Sequence, residues 1–183
     1  MWHPHVSLSL GLFILAAAAF ASRSAAETPT PPAVELLTGA YRYIGNWERD
    51  EAEIQASVDK AIANLGWLGR RIADSRLASH RERPTGVVIA RAGENLSITM
   101  GEYKAVAPLD GESREVVAPN NRDSKLSYSF SDDAITQSFS AEHAKRKSTY
   151  SLDDHGRLVM TVYMTSEKLA APIAYELRYE RVP

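Results

Sequence analysis

The chain has 183 residues, no cysteine, and 21 basic against 23 acidic side chains, for a formal charge of −2. This composition excludes a disulfide framework and any cysteine-based metal or lipid attachment, and it gives no electrostatic case for nucleic acid. A metal site would have to rest on histidine and carboxylates.

The amino end carries an apolar run from Val6 to Ala21, followed by the small residues Ser24, Ala25 and Ala26. This is the pattern of a secretory signal peptide cleaved before Glu27. His3 and His5 stand ahead of the run where Lys or Arg is usual, and if left uncleaved the run would be an anchor. Removal of residues 1–26 predicts an exported chain, periplasmic or extracellular, with no stable membrane insertion afterwards. Residues 27–36, with Pro29, Pro31 and Pro32, predict an extended tether that need not pack. Residues 37–183 then make one domain of ordinary size.

Leu37 to Ile44 predicts a first strand with Tyr41 and Tyr43 on one face, ending at Gly45-Asn46. Apolar residues at Ile54, Val58, Ala61, Ile62, Leu65, Leu68 and Ile72 recur at three- and four-residue steps and predict a helix over about residues 47–79. Asp50 with Glu53 can form a capping box, and the acidic start and the Arg70, Arg71, Arg76 and Arg81 end complement the helix dipole. At about 1.5 Å per residue such a rod overreaches a domain of this size. A break or bend is therefore expected at Gly66 or Gly69, and Pro84 with Gly86 ends the helix.

From Gly86 the pattern changes to short strands, Val87 to Arg91, Leu96 to Met100, Tyr103 to Ala107 and Val116-Val117, with turns at Gly93-Glu94-Asn95 and Asp110-Gly111. After Pro119-Asn120-Asn121 the chain alternates apolar and polar residues almost to its end. Leu126, Tyr128 and Phe130 share one parity, as do Ile135 and Phe139, then Leu158, Met160, Val162 and Met164, then Ile173, Tyr175, Leu177 and Tyr179. Period 2 with one apolar face is the signature of an antiparallel sheet that must cover that face, and curling into a barrel does so while removing exposed edges. The expected fold is mainly β within the α+β class: an antiparallel up-and-down β-barrel of about 8–10 strands, with one long helix inserted after the first strand.

The inward set Tyr128, Phe130, Phe139, Tyr150, Met160, Met164, Tyr175 and Tyr179 is the constellation that bears on function. Tyrosine is amphipathic and methionine adaptable, which suits a pocket for a mixed ligand. The same residues suit a filled core. Burial gains of about 2 kcal/mol per side chain are nearly offset by ordering entropy, so the pattern does not choose between solid and hollow.

Catalytic and metal motifs are weaker. His80, His143 and His155 show no metal-ligand spacing, and Asp153-Asp154-His155-Gly156 has the composition of a turn. Ser113 lacks the second glycine of a nucleophile elbow. Neither enzyme chemistry, a cofactor nor a metal is expected. The basic run His143, Lys145, Arg146 and Lys147 could meet an anionic head group or a partner, although a charged strand entrance that blocks edge pairing explains it more simply.

With Gly39-Ala40-Tyr41 on the first strand, many hairpins, and Arg178 on the last strand, the chain resembles the lipocalin-like, or calycin, barrels. In layout it also resembles small exported bacterial proteins with that fold. In those families a Gly-x-Trp packs under an arginine of the last strand. Here Tyr41 stands where the tryptophan would be, and Arg178, with Arg181 as the alternative, is the barrel-closing partner. The resemblance implies an exported barrel that binds or carries a small apolar or amphipathic ligand such as a lipid. A helix ahead of a wide antiparallel sheet is also similar to periplasmic lipoprotein carriers, which use an open half-barrel. The alternative function is an envelope or extracellular module with a filled barrel that binds protein through its helix or a strand edge.

Overall fold

Strict alternation along the chain yields ten antiparallel strands in a single sheet, in a computed structural model that describes residues 29–67, 69–71, 73 and 85–183. The strands are β1 (Gly39–Tyr43), β2 (Gly86–Ala92), β3 (Asn95–Met100), β4 (Tyr103–Pro108), β5 (Arg114–Val117), β6 (Asp123–Phe130), β7 (Ala134–Ala141), β8 (Ala144–Leu152), β9 (Leu158–Ser166) and β10 (Ile173–Arg181). The sheet order is β4-β3-β2-β1-β10-β9-β8-β7-β6-β5. Every neighbour is therefore a sequence neighbour except the β1–β10 pair, which joins the two ends of the meander. The result is a nearly closed up-and-down barrel.

Its seam lies between β4 and β5, which share no ladder. Two phenols bridge it instead. The Tyr103 hydroxyl donates to the Val117 carbonyl at 3.0 Å, and the Tyr128 hydroxyl on β6 donates to the Ala105 carbonyl on β4 at 3.1 Å. Both bonds give backbone acceptors at the seam a partner, and the Tyr128 bond is buried, where a carbonyl requires one.

Register turns parity into layers. Met160 lies opposite Tyr150 on one side and Leu177 on the other, while Val162 lies opposite Ser148 and Tyr175. A one-residue slip would turn each of these residues outward.

Among the described residues, two helices cover the barrel ends. Residues 32–36, expected to be the end of an unpacked tether, form α1 (Pro32–Leu37) together with Leu37, expected to open the first strand. Ala33, Val34 and Leu37 are almost wholly buried against β7 and β8, closing the base. Pro32 sits where proline suits a helix start. The carboxyl end of α1 is tied down by Arg181, which donates to the Leu36 and Thr38 carbonyls at 2.9 and 2.8 Å. The Arg181 guanidinium also stands 5.1 Å from the centre of the Tyr41 ring and donates to its hydroxyl at 2.8 Å. Arg181, rather than Arg178, is thus the cation over Tyr41. Parity is the reason: Arg181 follows Tyr179 by two residues, whereas Arg178 points outward and pairs with Glu176 at 2.6 Å.

At the other end, α2 (Trp47–Ala61) packs along β10 through Ile54 and Val58. It is shorter than the rod expected over residues 47–79, because the chain turns at residues 62–66 before helical geometry resumes at residues 67, 69–71 and 73. Arg70 holds that turn by donating to the Leu65 and Ala63 carbonyls at 3.0 and 2.8 Å. Leu68 and Ile72, named in the helical periodicity, lie outside the described residues, as do Arg76 and Arg81. Asn46 is the N-cap, accepting from the Arg49 amide. Asp50 is instead buried in the first turn, where it accepts from the Tyr43 hydroxyl at 2.7 Å and from Arg49. Gly45 lets this happen, since a Cβ there would collide with the Asp50 carboxylate and the Tyr43 hydroxyl. Among the described residues no helix is long and apolar enough to cross a membrane.

The Asp153 turn is built as the sequence implies, with Gly156 at φ +71°. Asp153 accepts from the Arg157 side chain at 2.8 Å and from the Arg157 and His155 amides. The Arg157 side chain first, then these amides, hold the Asp153 carboxyl down at about 2. A depressed carboxyl stabilises the fold above its unfolded value and loses that effect as pH falls through the folded one. Asp153→Asn should therefore lower the melting temperature at neutral pH, and the gap from wild type should close between about pH 4 and pH 2. A gap that stays constant across that window would contradict this assignment.

Candidate functional site

Alternation places two unlike regions inside the barrel. Toward the base the interior is filled. Tyr128, Tyr150, Tyr179 and Met160 are buried to within about 1 % of full coverage, and Phe130 and Tyr175 are half-buried against the same core. Toward the end of α2 it is hollow. A cavity of about 810 Å³ opens to solvent there, between the barrel wall and the segment after α2.

Phe139, Met164 and Ile173 supply apolar wall to this cavity, and Leu65 and Leu169 contribute from the connecting segments. The rim is charged, with Arg122, Lys145 and Lys168 against Asp123 and Glu142. His143, also on the rim, lies 3.4 Å from Glu142 and 3.3 Å from Glu167. Of the eight interior residues expected from parity, Phe139 and Met164 line the cavity. Tyr128 and Tyr150 meet in a hydrogen-bonded core: Gln137 Nε2 donates to the Tyr128 hydroxyl at 3.4 Å, and the Tyr150 hydroxyl donates to Gln137 Oε1 at 3.3 Å. Tyr179 packs edge-on against Tyr43.

Among the described residues, Arg146 is a cation on the inward face of this wall. Arg146 shares parity with Ser148 and Tyr150 on β8, pairs across the sheet with Phe139 and Met164, and lines the cavity. In the sequence it looked like one member of a basic run. Counting back by twos from Tyr150 separates it from Lys145 and Lys147, which are exposed.

Burial pushes the interior phenols up, to about 12 for Tyr150, and Arg146 opposes that shift. Tyr103, Tyr175 and Tyr179 are raised by burial in the same way, with Arg146 again acting against it. The guanidinium is therefore within electrostatic reach of four tyrosines, and all of them stay neutral near pH 7. Among the described residues no group of three or more His, Asp and Glu side chains is placed to hold a metal ion.

The fold is that of the calycin, or lipocalin-like, β-barrels, in its ten-stranded form with a helix-turn-helix after the first strand. Among solved structures it is similar to the REP1-NXSQ fatty acid transporter, at 15 % identity over 80 % of this chain and 96 % of that one, with a TM-score of 0.52. It is also similar to apo lipid binding protein 8 of Caenorhabditis elegans, at 15 % identity over 81 % and 96 % of the two chains, with a TM-score of 0.53. A Schistosoma mansoni fatty acid binding protein in complex with arachidonic acid matches at 13 % identity over 82 % and 99 %, with a TM-score of 0.50. No family model matches the chain, and no curated protein sequence does. At these identities the likeness establishes the fold.

Proposed function

We propose that this chain is a carrier that holds a small apolar or amphipathic molecule, a lipid above all, in the helix-end cavity, with α2 and the segment after it as the cover. The cavity carries the reading. Its volume of about 810 Å³ falls within the roughly 300–1,000 Å³ usual for small-molecule sites, and its walls are largely apolar. The printed names of the structural neighbours, a fatty acid transporter and lipid or fatty acid binding proteins, support the same class of cargo. The apolar run from Val6 to Ala21 with small residues after it supports cleavage before Glu27 and work in the periplasm or outside the cell.

Native mass spectrometry of the chain purified from an exporting host tests this directly. The expected result is a protein species starting at Glu27 with one lipid-sized adduct per chain, and one-to-one uptake of a fatty acid after the adduct is extracted. Absence of both adduct and saturable uptake would contradict the proposal.

A further inference from the structure

Register sorts the inward side chains of the β6–β10 wall into rows, and the cavity ends between two of them. The row nearest the mouth, Ala141, Ala144 and Ser166, lines the cavity. So does the next, Phe139, Arg146, Met164 and Ile173. The row beneath is Tyr128, Gln137, Ser148, Val162 and Tyr175, and none of these touches the cavity. Tyr128, Gln137, Ser148 and Val162 are instead buried to 3 % exposure or less.

A polar brace centred on Gln137 closes the interior at this level. Its Nε2 donates to the Tyr128 hydroxyl, which donates in turn to the Ala105 carbonyl on β4. Its Oε1 accepts from Tyr150, one row further down, and the Tyr150 oxygen lies 3.5 Å from Met100 Sδ on β3, across the interior. Pushing the brace aside would leave buried polar atoms unpaired, which costs more than one further buried methylene returns. The floor therefore does not yield to a longer tail.

It also leaves little depth. Two rows occupy about 14 Å of strand, which the usual barrel tilt reduces to about 10 Å of height. An extended alkyl chain advances about 1.25 Å per carbon, so about eight carbons span the open rows. The volume of about 810 Å³ is breadth under the segment after α2 rather than depth.

We propose that the Gln137 row is a floor that limits the length of the cargo, which makes the ligand class a medium-chain amphiphile with a tail of about eight to ten carbons. This rests on the carrier reading. Gln137 determines specificity through its bulk, which stops the tail, and through its bonds to Tyr128 and Tyr150, which fix that bulk in place. Longer tails bind with their additional carbons left at the mouth.

The test is a series of straight-chain alkanoates from hexanoate to hexadecanoate, each below its aggregation threshold, competing with a neutral polarity-sensitive dye on the delipidated chain. Affinity should rise about fourfold per carbon up to about ten carbons and then level off, leaving dodecanoate and hexadecanoate within about threefold of each other. Continued burial would separate that pair by more than about a hundredfold. Gln137→Ala, in which Tyr128 keeps the Ala105 carbonyl, should move the break upward by about two carbons or more. Gln137→Met keeps the bulk without the bonds and should leave the break in place. If neither variant folds, methyl contacts in the wild-type chain give a second reading: the terminal methyl of bound hexadecanoate should meet Met164 or Val162 and not Met160. Affinity that climbs steadily to hexadecanoate, a break that stays put in Gln137→Ala or shifts in Gln137→Met, or a terminal methyl beside Met160 would overturn the floor and leave the carrier reading standing. Failure of every alkanoate to bind would overturn the carrier reading and the floor with it.

Discussion

Leu37→Asp should cost about 4 kcal/mol or more, enough to leave much of the chain unfolded at room temperature. Leu37 is completely buried at the base of the barrel, held there by α1, whose carboxyl end receives Arg181 and the Tyr41 hydroxyl. The substitution removes the apolar contact and leaves a carboxylate without a partner in its place. Leu37→Ala isolates the first of these effects and should cost about 2–5 kcal/mol. Urea unfolding measures both. A loss below about 0.5 kcal/mol, the usual value for a surface position, would mean that the segment ahead of β1 is a tether after all.

Val58→Asp addresses the other end. Val58 is fully buried where α2 meets β10, beside the point where Ser57 Oγ accepts from the Ala174 amide at 2.9 Å. An unpaired carboxylate there should cost about 3 kcal/mol or more and release α2, because the rest of the interface is narrow compared with the ladders of the sheet. In hydrogen exchange, α2 amides should lose protection while those of β6 to β9 keep theirs. Ligand affinity should fall with the cover. Simultaneous loss of protection in both regions would show that α2 belongs to the core and cannot act as a separate cover.

The strand pattern could be read from the chain because one-faced burial imposes period 2, and each hairpin from β6 to β10 shows it in Leu126, Ile135, Leu158 or Ile173. What could not be read depends on contacts between residues far apart in sequence. Pro29, Pro31 and Pro32 suggest an extended tether, yet proline suits a helix start, and only the base of the barrel gives Ala33, Val34 and Leu37 something to bury against. The choice between Arg178 and Arg181 was decided by parity, which was already present in the alternation of Leu177 and Tyr179. Arg146 was hidden for a related reason: a run of adjacent charges masks the fact that a strand sends every second residue inward. Whether the interior is solid or hollow depends on how far each side chain reaches across the barrel, and no local pattern encodes that. The base is filled by tyrosines and the helix end is open.

The most direct test of the carrier account is the position of a bound acyl chain. Delipidated protein loaded with dodecanoate, with methyl-labelled Met, Ile, Leu and Val, should show nuclear Overhauser contacts from the chain methylenes to Met164, Ile173 and Leu65. Contacts confined to outward residues such as Val88 and Val106, or no contacts at saturating ligand, would contradict a cargo held in the helix-end cavity.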